Sequence, residues 1–235
     1  MQKGMIKEAI MRIKRICRRM IELALDIAAP TAPAIREIEA DDGRAFSARV
    51  GAALSKAGDA FFLFPYKKTS VKAALVELKT YKNTRVADVL GEALFDALDH
   101  SDMFRHAPDF GLEARHILVM PVPITPKKKR ERGWNQCDLI LDGFARAAAG
   151  ARFEARKDIL AKIRETEDQV GKSRGERVEN LRDSFAVRPA HAKAIQGRAV
   201  IVIDDILTTG STLGEAKRAL LSAGAHSVIC LALAH

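Results

Sequence analysis

"VIVIDDILTTGST", residues 200–212, decides how the rest of this 235-residue chain is read. Six of its first eight residues are apolar, and Val200, Ile201, Val202 and Ile203 form the β-branched run that suits a strand buried in a parallel sheet. Asp204 and Asp205 then set two like charges side by side, which a strand serving only as core would not carry. Thr208, Thr209, Gly210, Ser211 and Thr212 follow and lead into a helix. In parallel sheets ligands bind outside the carboxyl ends of the strands. Gly210 permits a positive-φ turn, and successive N–H groups beside a helix N-terminus form an anion-binding concavity to which the hydroxyls add donors. A capped helix preceded by an Asx turn explains any one of these residues, but not all thirteen in this order.

One loop thus offers two carboxylates, able to accept from hydroxyls or hold a hydrated cation, beside a cradle for phosphate. A phosphorylated sugar has both features. The helix end alone contributes only about 0.3–1 kcal/mol, so converging donors must supply the rest.

Outward from this stretch, strands alternate with helices. Strands are expected within 59–68, at 116–121 and at 158–163, with a last one in "SVICLAL". Helices are expected at "SVKAALVELKTYKN", at 85–100, at 137–149 and at 212–223. The alternation predicts an α/β fold, a mostly parallel twisted sheet covered on both faces. Apolar residues at helical spacing from Ile6 to Ile27, with a basic opposite face, predict an amphipathic N-terminal helix. Pro30 and Pro33 end it, and "PTAPAIREIEADDGRAFS" reads as linker, so residues 1–45 are taken as an extension and 46–235 as the main domain. The polar stretch 164–182, dotted with Gly171 and Gly175, reads as a mobile cover or as a charged surface helix.

The net charge of +9 is local. Residues 1–20 hold seven Lys or Arg against one acid, Glu8, and "KKKRER" (127–132) holds five against one; the remainder is near neutral. Such patches point to anionic partners: phosphates, nucleic acid or a membrane surface. No apolar run approaches the roughly 18 residues needed to cross a bilayer. Cys17, Cys137 and Cys230 are unpaired in spacing, which fits a reducing compartment and argues against both a disulfide framework and a zinc ribbon. A cytoplasmic location is expected, since the N-terminus lacks the uninterrupted apolar core of a secretion signal.

"VIVIDDILTTGST" resembles the phosphoribosyl pyrophosphate (PRPP) signature of the type I phosphoribosyltransferases. The resemblance implies that fold with a small hood, here over 46–110, on a core over 115–235. It also implies ribose hydroxyls on Asp204 and Asp205 and the 5-phosphate on Thr208, Thr209, Gly210, Ser211 and Thr212. Three more stretches narrow it. "MPVPITPKKKRERGWNQ" resembles the Pro-Val-Pro, basic spacer and Arg-Gly-aromatic-Asn-Gln pattern of the ComF family. "IRETEDQVGKSRGERVENLRDSF" resembles its Arg, Thr, Gln, Arg, Asn, Phe series, here Arg164, Thr166, Gln169, Arg177, Asn180 and Phe185. "LKTYKN" resembles its Leu-Lys-Tyr helix end. The similarity spans about residues 61–233. Many ComF proteins begin with a zinc ribbon, and this chain instead has a lone Cys17 in a basic helix, so no structural zinc is expected.

The resemblance places a pyrophosphate-contacting loop at Pro121, Val122 and Pro123, with Lys127 and Arg132 neutralising the leaving group. A solvated charge run explains Lys127, Lys128 and Lys129 equally well, whereas Arg132 lies inside the family pattern. Trp134 is read as a core anchor ahead of a base-stacking platform, and Asn135 as a helix cap. Lys79, near the end of its helix, reads as a solvated lysine unless the Leu-Lys-Tyr family pattern gives it a role.

By resemblance the chain is a glycosyltransferase-class enzyme that binds PRPP with Mg²⁺, the cation near Asp204 and Asp205 with no direct protein ligand assigned. Asp204, Asp205 and Arg132 carry the chemistry, pyrophosphate is released, and natural competence and DNA uptake are the implied setting. The alternative is a non-catalytic protein on the same fold that handles single-stranded DNA or senses PRPP. Expected partners are PRPP, single-stranded DNA or competence machinery, and a membrane surface or protein met by the basic N-terminal helix. Residues 35–100, expected to shape the acceptor site, carry no readable base code.

Overall fold

The computed structural model describes residues 31–101, 117–165 and 181–235. The first half holds α1 (Thr31–Ala40), α2 (Gly43–Val50), β1 (Ser55–Ala57), β2 (Ala60–Phe64), α3 (Thr69–Tyr81) and α4 (Thr84–Asp99). Then come β3 (Ile117–Pro121), α5 (Pro126–Arg132), α6 (Gln136–Ala147), β4 (Phe153–Ala155) and β5 (Leu160–Lys162). The chain closes with β6 (Phe185–Val187), α7 (Ala192–Ile195), β7 (Ala199–Ile206), α8 (Ser211–Ser222) and β8 (Ser227–Ala234).

Six strands make one sheet in the order β1-β2-β8-β7-β3-β4, parallel except for the β1–β2 edge pair. The β-branched run of β7 sits between β3 and β8, and its residues alternate between two cores. Ile201 and Ile203 pack with Val119, Leu231 and helices α1 to α4 and α6. Val200 and Val202 pack with Leu118, Met120, Cys230 and α8 on the other face. Period-2 alternation of apolar side chains on a central strand is what a sheet covered on both faces requires. A separate antiparallel pair, β5–β6, lies with the second core through Leu160 and Phe185.

Local signals account for the helix boundaries. Asn83 caps α4 by accepting from the Val86 N–H at 3.2 Å. Thr125 caps α5 by accepting from the Lys128 N–H at 3.2 Å, with Pro126 at the first helical position. Helices α4 and α6 meet at glycines: a Cβ on Gly91 would come within 2.3 Å of the Phe144 nitrogen. One on Gly143 would come within 2.6 Å of the Ala87 carbonyl oxygen.

Three expectations need correction. Residues 31–45 are not linker: Ile35 and Ile38 of α1 and Phe46 of α2 are buried in the first core, an amphipathic spacing masked by the flanking prolines. Residues 46–101 are joined to the rest of the sheet, since β2 pairs with β8 and α4 packs against α6. The strand expected at 158–163 is three residues long and joins the small pair rather than the main sheet. "KKKRER" is helical, since the capping Thr125 and Pro126 start a turn that the long basic side chains tolerate. The amphipathic helix expected before residue 28 lies outside the described residues.

Candidate functional site

The two aspartates occupy the last turns of the β7 ladder rather than the loop beyond it: Asp204 pairs with Ala232, and Ile206 with Ala234. Because side chains alternate along a strand, Asp205 follows Ile201 and Ile203 toward the face of α3 and α6. There it is 7% exposed and fully engaged. Lys79 Nζ, from the last turn of α3, lies 2.9 Å from its Oδ2. Gln136 Nε2, from the first turn of α6, donates to the same oxygen at 3.0 Å, and the Ile206 N–H donates to Oδ1 at 2.9 Å. Asp204 is less buried; its Oδ1 accepts from the Asp205 N–H at 2.9 Å, with the Cys137 thiol at 3.7 Å.

The electrostatics follow from this packing. Burial pushes the Asp204 carboxyl above the usual carboxylate range, and the adjacent Asp205 charge adds to it. Burial acts on Asp205 in the same sense, but the Lys79 charge and the hydrogen bonds from Lys79 and Gln136 outweigh it, leaving Asp205 below that range. Burial works to lower Lys79, and the Asp205 charge and hydrogen bond reverse this to a net rise. The Cys137 thiol is pushed well up by burial and then by both aspartates.

Downstream, Gly210 takes the left-handed conformation (φ 75°) at the N-cap of α8, and no side chain caps that helix. Thr209 Oγ1 and Ser211 Oγ lie 2.9 Å apart, while Thr208 is exposed and Thr212 half-buried. The loop therefore presents backbone N–H groups and hydroxyls together at a helix N-terminus. A cavity of about 780 Å³ adjoins it, walled by Thr208–Ser211, the first turns of α8 and the β1–β2 turn. Asp204 and Asp205 are not among its lining residues.

On the neighbouring strand, Pro121 ends β3 and Val122 extends the ladder by donating to the Ile203 carbonyl at 2.8 Å; Pro123 is half-buried. Lys127 is exposed on α5. Arg132 turns back, its Nη1 donating to Gln136 Oε1 at 2.6 Å, so it reaches Asp205 through Gln136. Arg164 is exposed and donates to the Arg182 carbonyl at 2.6 Å. Thr166, Gln169, Arg177 and Asn180 lie outside the described residues. Trp134 anchors: its Nε1 donates to the Leu78 carbonyl at 2.7 Å and its ring packs on the first core. Asn135 caps α6 by accepting from Cys137 N–H and ties it to the Val122 carbonyl at 3.0 Å.

Four residues of this region had no assigned role from sequence. Lys79 read as a solvated lysine, although "LKTYKN" carried the signal. Gln136 and Cys137 sit at the end of the "RERGWNQC" stretch. Lys162, on β5, is pushed down by burial and by the like charge of Lys128, against the attraction of Asp204 and Glu165. Among the described residues, Cys137, Asp204 and Asp205 are the one group whose ligand atoms, all within 4.8 Å of one another, could hold a metal ion.

A phosphoribosyl transferase domain model matches residues 143–235, the stretch that contains β7, the aspartates and the whole loop. That match, over less than half of the chain, agrees with the parallel sheet covered on both faces that a phosphoribosyltransferase fold requires. The chain is also similar to proteins named for DNA utilization and competence. It is 28% identical over 152 residues to the DNA utilization protein YhgH of Escherichia coli, covering 65% of this chain and 61% of that protein. Competence protein F of Haemophilus influenzae is 29% identical over 110 residues, 47% of this chain and 46% of that protein. The matches thus span about three fifths or less of these relatives' own length. Among solved structures, the allosteric regulatory enzyme of purine biosynthesis aligns over 66% of this chain and 29% of its own, with 19% identity and a TM-score of 0.37. The described residues include no helix long and apolar enough to cross a membrane.

Proposed function

We propose that the chain binds PRPP together with Mg²⁺ and transfers its phosphoribosyl group to an acceptor with release of pyrophosphate. The observation that carries this reading is the juxtaposition of paired carboxylates at the end of β7 with an uncapped, hydroxyl-rich loop at the start of α8. Asp204 and Asp205 receive the ribose hydroxyls, and Thr208 to Thr212 take the 5-phosphate. The carboxylates suit this hydrated, hard cation in their neighbourhood, whereas the Cys137 thiol does not favour it as a direct ligand. Bound Mg²⁺ would neutralise charge on the pyrophosphate.

In the displacement, the bond from the anomeric carbon to pyrophosphate breaks and a bond to the acceptor forms through an oxocarbenium-like state. The chain's own contribution is positioning and charge: the carboxylates fix the sugar and face the developing positive charge, and the cations of α5 with Lys162 face the departing anion. No covalent nucleophile is required. Arg164, Thr166, Gln169, Arg177 and Asn180 would cover the bound substrate. Isothermal titration with magnesium-PRPP tests the binding step, and a pyrophosphate-release screen over bases, nucleosides and single-stranded DNA tests the transfer. Heat of binding lost in Asp204→Ala/Asp205→Ala is expected; equal binding by that variant would remove the reading.

A second reading uses the same fold as a platform for single-stranded DNA, with PRPP a regulator or absent. It is favoured by the exposed basic face of α5 and by relatives named for competence and DNA utilization. Phosphate contacts make affinity fall steeply with salt, so anisotropy of a labelled oligonucleotide should fall between 50 mM and 200 mM salt, less steeply once Lys127, Lys128 and Lys129 are alanine. No binding at low salt would remove this reading. Deleting residues 1–30 and repeating the titration, and flotation with anionic vesicles, test the nucleic-acid, membrane and partner roles of the basic N-terminal segment.

A further inference from the structure

Gln136 of the stretch "RERGWNQ" and Lys79 of the helix end "LKTYKN" are 57 positions apart, yet both converge on one carboxylate. From α5, Arg132 holds the Gln136 amide at 2.6 Å, which orients its nitrogen toward Asp205 Oδ2 at 3.0 Å. From the turn between α5 and α6, Trp134 holds the Leu78 carbonyl at 2.7 Å, which fixes the last turn of α3. That turn carries Lys79, whose ammonium completes the shell around Asp205 Oδ2 at 2.9 Å. The two routes meet on the same oxygen from opposite helices.

Adjacent aspartates at the end of one strand repel each other, and Asp205 is buried with only a neutral amide and a backbone N–H besides Lys79. A buried carboxylate keeps its charge and its rotamer when a cation and directed donors surround it. The Lys79 side chain is 36% exposed against 10% for Asp205, so the lysine closes the outer side of the aspartate while its stem spans the gap from α3. Beside it, Asp204 Oδ1 accepts from the Asp205 backbone N–H at 2.9 Å, which keeps the two carboxylates together at the strand end.

We infer that Lys79 is a positioning residue of the phosphoribosyl site: it acts through Asp205, holding the carboxylate pair in the geometry that receives the sugar, with Arg132, Trp134 and Gln136 bracing it. This rests on the phosphoribosyl reading above and assigns the Arg-Gly-Trp-Asn-Gln stretch to bracing the aspartates. The competing role, a direct contact from Lys79 to the pyrophosphate, follows from the same exposure and is separated from it by ligand choice.

Isothermal titration of the full chain decides between them, using magnesium-PRPP, magnesium-pyrophosphate and ribose 5-phosphate as probes. The proteins are the wild type, Lys79→Met, Lys79→Arg, Asp205→Asn and the Lys79→Met/Asp205→Asn pair. Lys79→Met should weaken PRPP and ribose 5-phosphate alike by about tenfold, in the range of coupled contacting residues. It should leave magnesium-pyrophosphate unchanged and add no further loss in the Asp205→Asn background. Lys79→Arg should restore most of the affinity, because it returns a cation to the same oxygen. Circular dichroism melting of each protein establishes that it is folded, and Lys79→Gln replaces Lys79→Met if that variant melts below the assay temperature. Unchanged PRPP affinity in Lys79→Met, additive losses in the pair, or a loss confined to ligands bearing pyrophosphate would each overturn the inference. A wild type that binds neither PRPP nor ribose 5-phosphate would remove the phosphoribosyl reading itself, a result distinct from the other three.

Discussion

Asp204 and Asp205 are neighbours with opposite shifts, and the cause lies in what each faces. Burial works to raise both, but Asp205 points at Lys79 and Gln136 and is held ionised, while Asp204 meets the like charge of Asp205 and is held toward its neutral form. The consequences for stability have opposite signs. A carboxyl raised in the folded state contributes stability that is present below its unfolded value, near 3.9, and is lost as pH rises through the folded value. Asp204→Asn should therefore melt close to the wild type at pH 4 and above it at pH 8. Asp205 is lowered, so its contribution is present above the unfolded value and lost as pH falls through the folded one. Asp205→Asn should therefore destabilise most at neutral pH. Melting curves of both variants from pH 4 to 8 check this; parallel curves for the two variants would contradict the asymmetric pair.

At the scale of elements, helix spacing and caps carry the site. Asn135 is 2% exposed, begins α6, holds the Val122 carbonyl and so joins the end of β3 to the helix that carries Gln136. Asn135→Ala should cost about 1–3 kcal/mol in urea unfolding, the sum of a lost cap and an unpaired buried carbonyl. The close passage of α4 and α6 predicts a sharper contrast between two glycines. Gly91→Ala forces a methyl into the Phe144 backbone and should cost about 1–3 kcal/mol or more. Gly214→Ala, in α8 with open space around its Cβ position, should be neutral or stabilising by up to about 1 kcal/mol. Equal effects at the two sites would contradict this packing.

Elements also show where sequence is transparent. Strand β7 and its loop were legible because burial on both faces, charge placement and glycine chemistry all act within thirteen consecutive residues. Helix α1 was not: Pro30 and Pro33 read as breakers, and the burial of Ile35 and Ile38 depends on α3 and α4 packing over them. Lys79 was missed for a related reason. Its partner lies 126 positions further along the chain and is brought to it only by the sheet order, so a solvated lysine and a buried counter-ion look alike in sequence.

At the scale of the whole molecule, the sheet order sets the working edge. β3 and β7 are parallel neighbours, so the basic helix after β3 and the hydroxyl-rich loop after β7 open at the same end of the sheet. Lys79 and Gln136 reach that end from helices of one face, and α8 supplies its N-terminus from the other. The proposed ligand, a sugar phosphorylated at both ends, would extend from the loop past the carboxylates toward α5. The most direct test is isothermal titration of the full chain with PRPP in the presence and absence of Mg²⁺, set against Asp204→Ala/Asp205→Ala. Magnesium-dependent binding by the wild type that disappears in the double variant is expected. No binding by the wild type, or undiminished binding by the variant, would contradict a phosphoribosyl site at the end of β7.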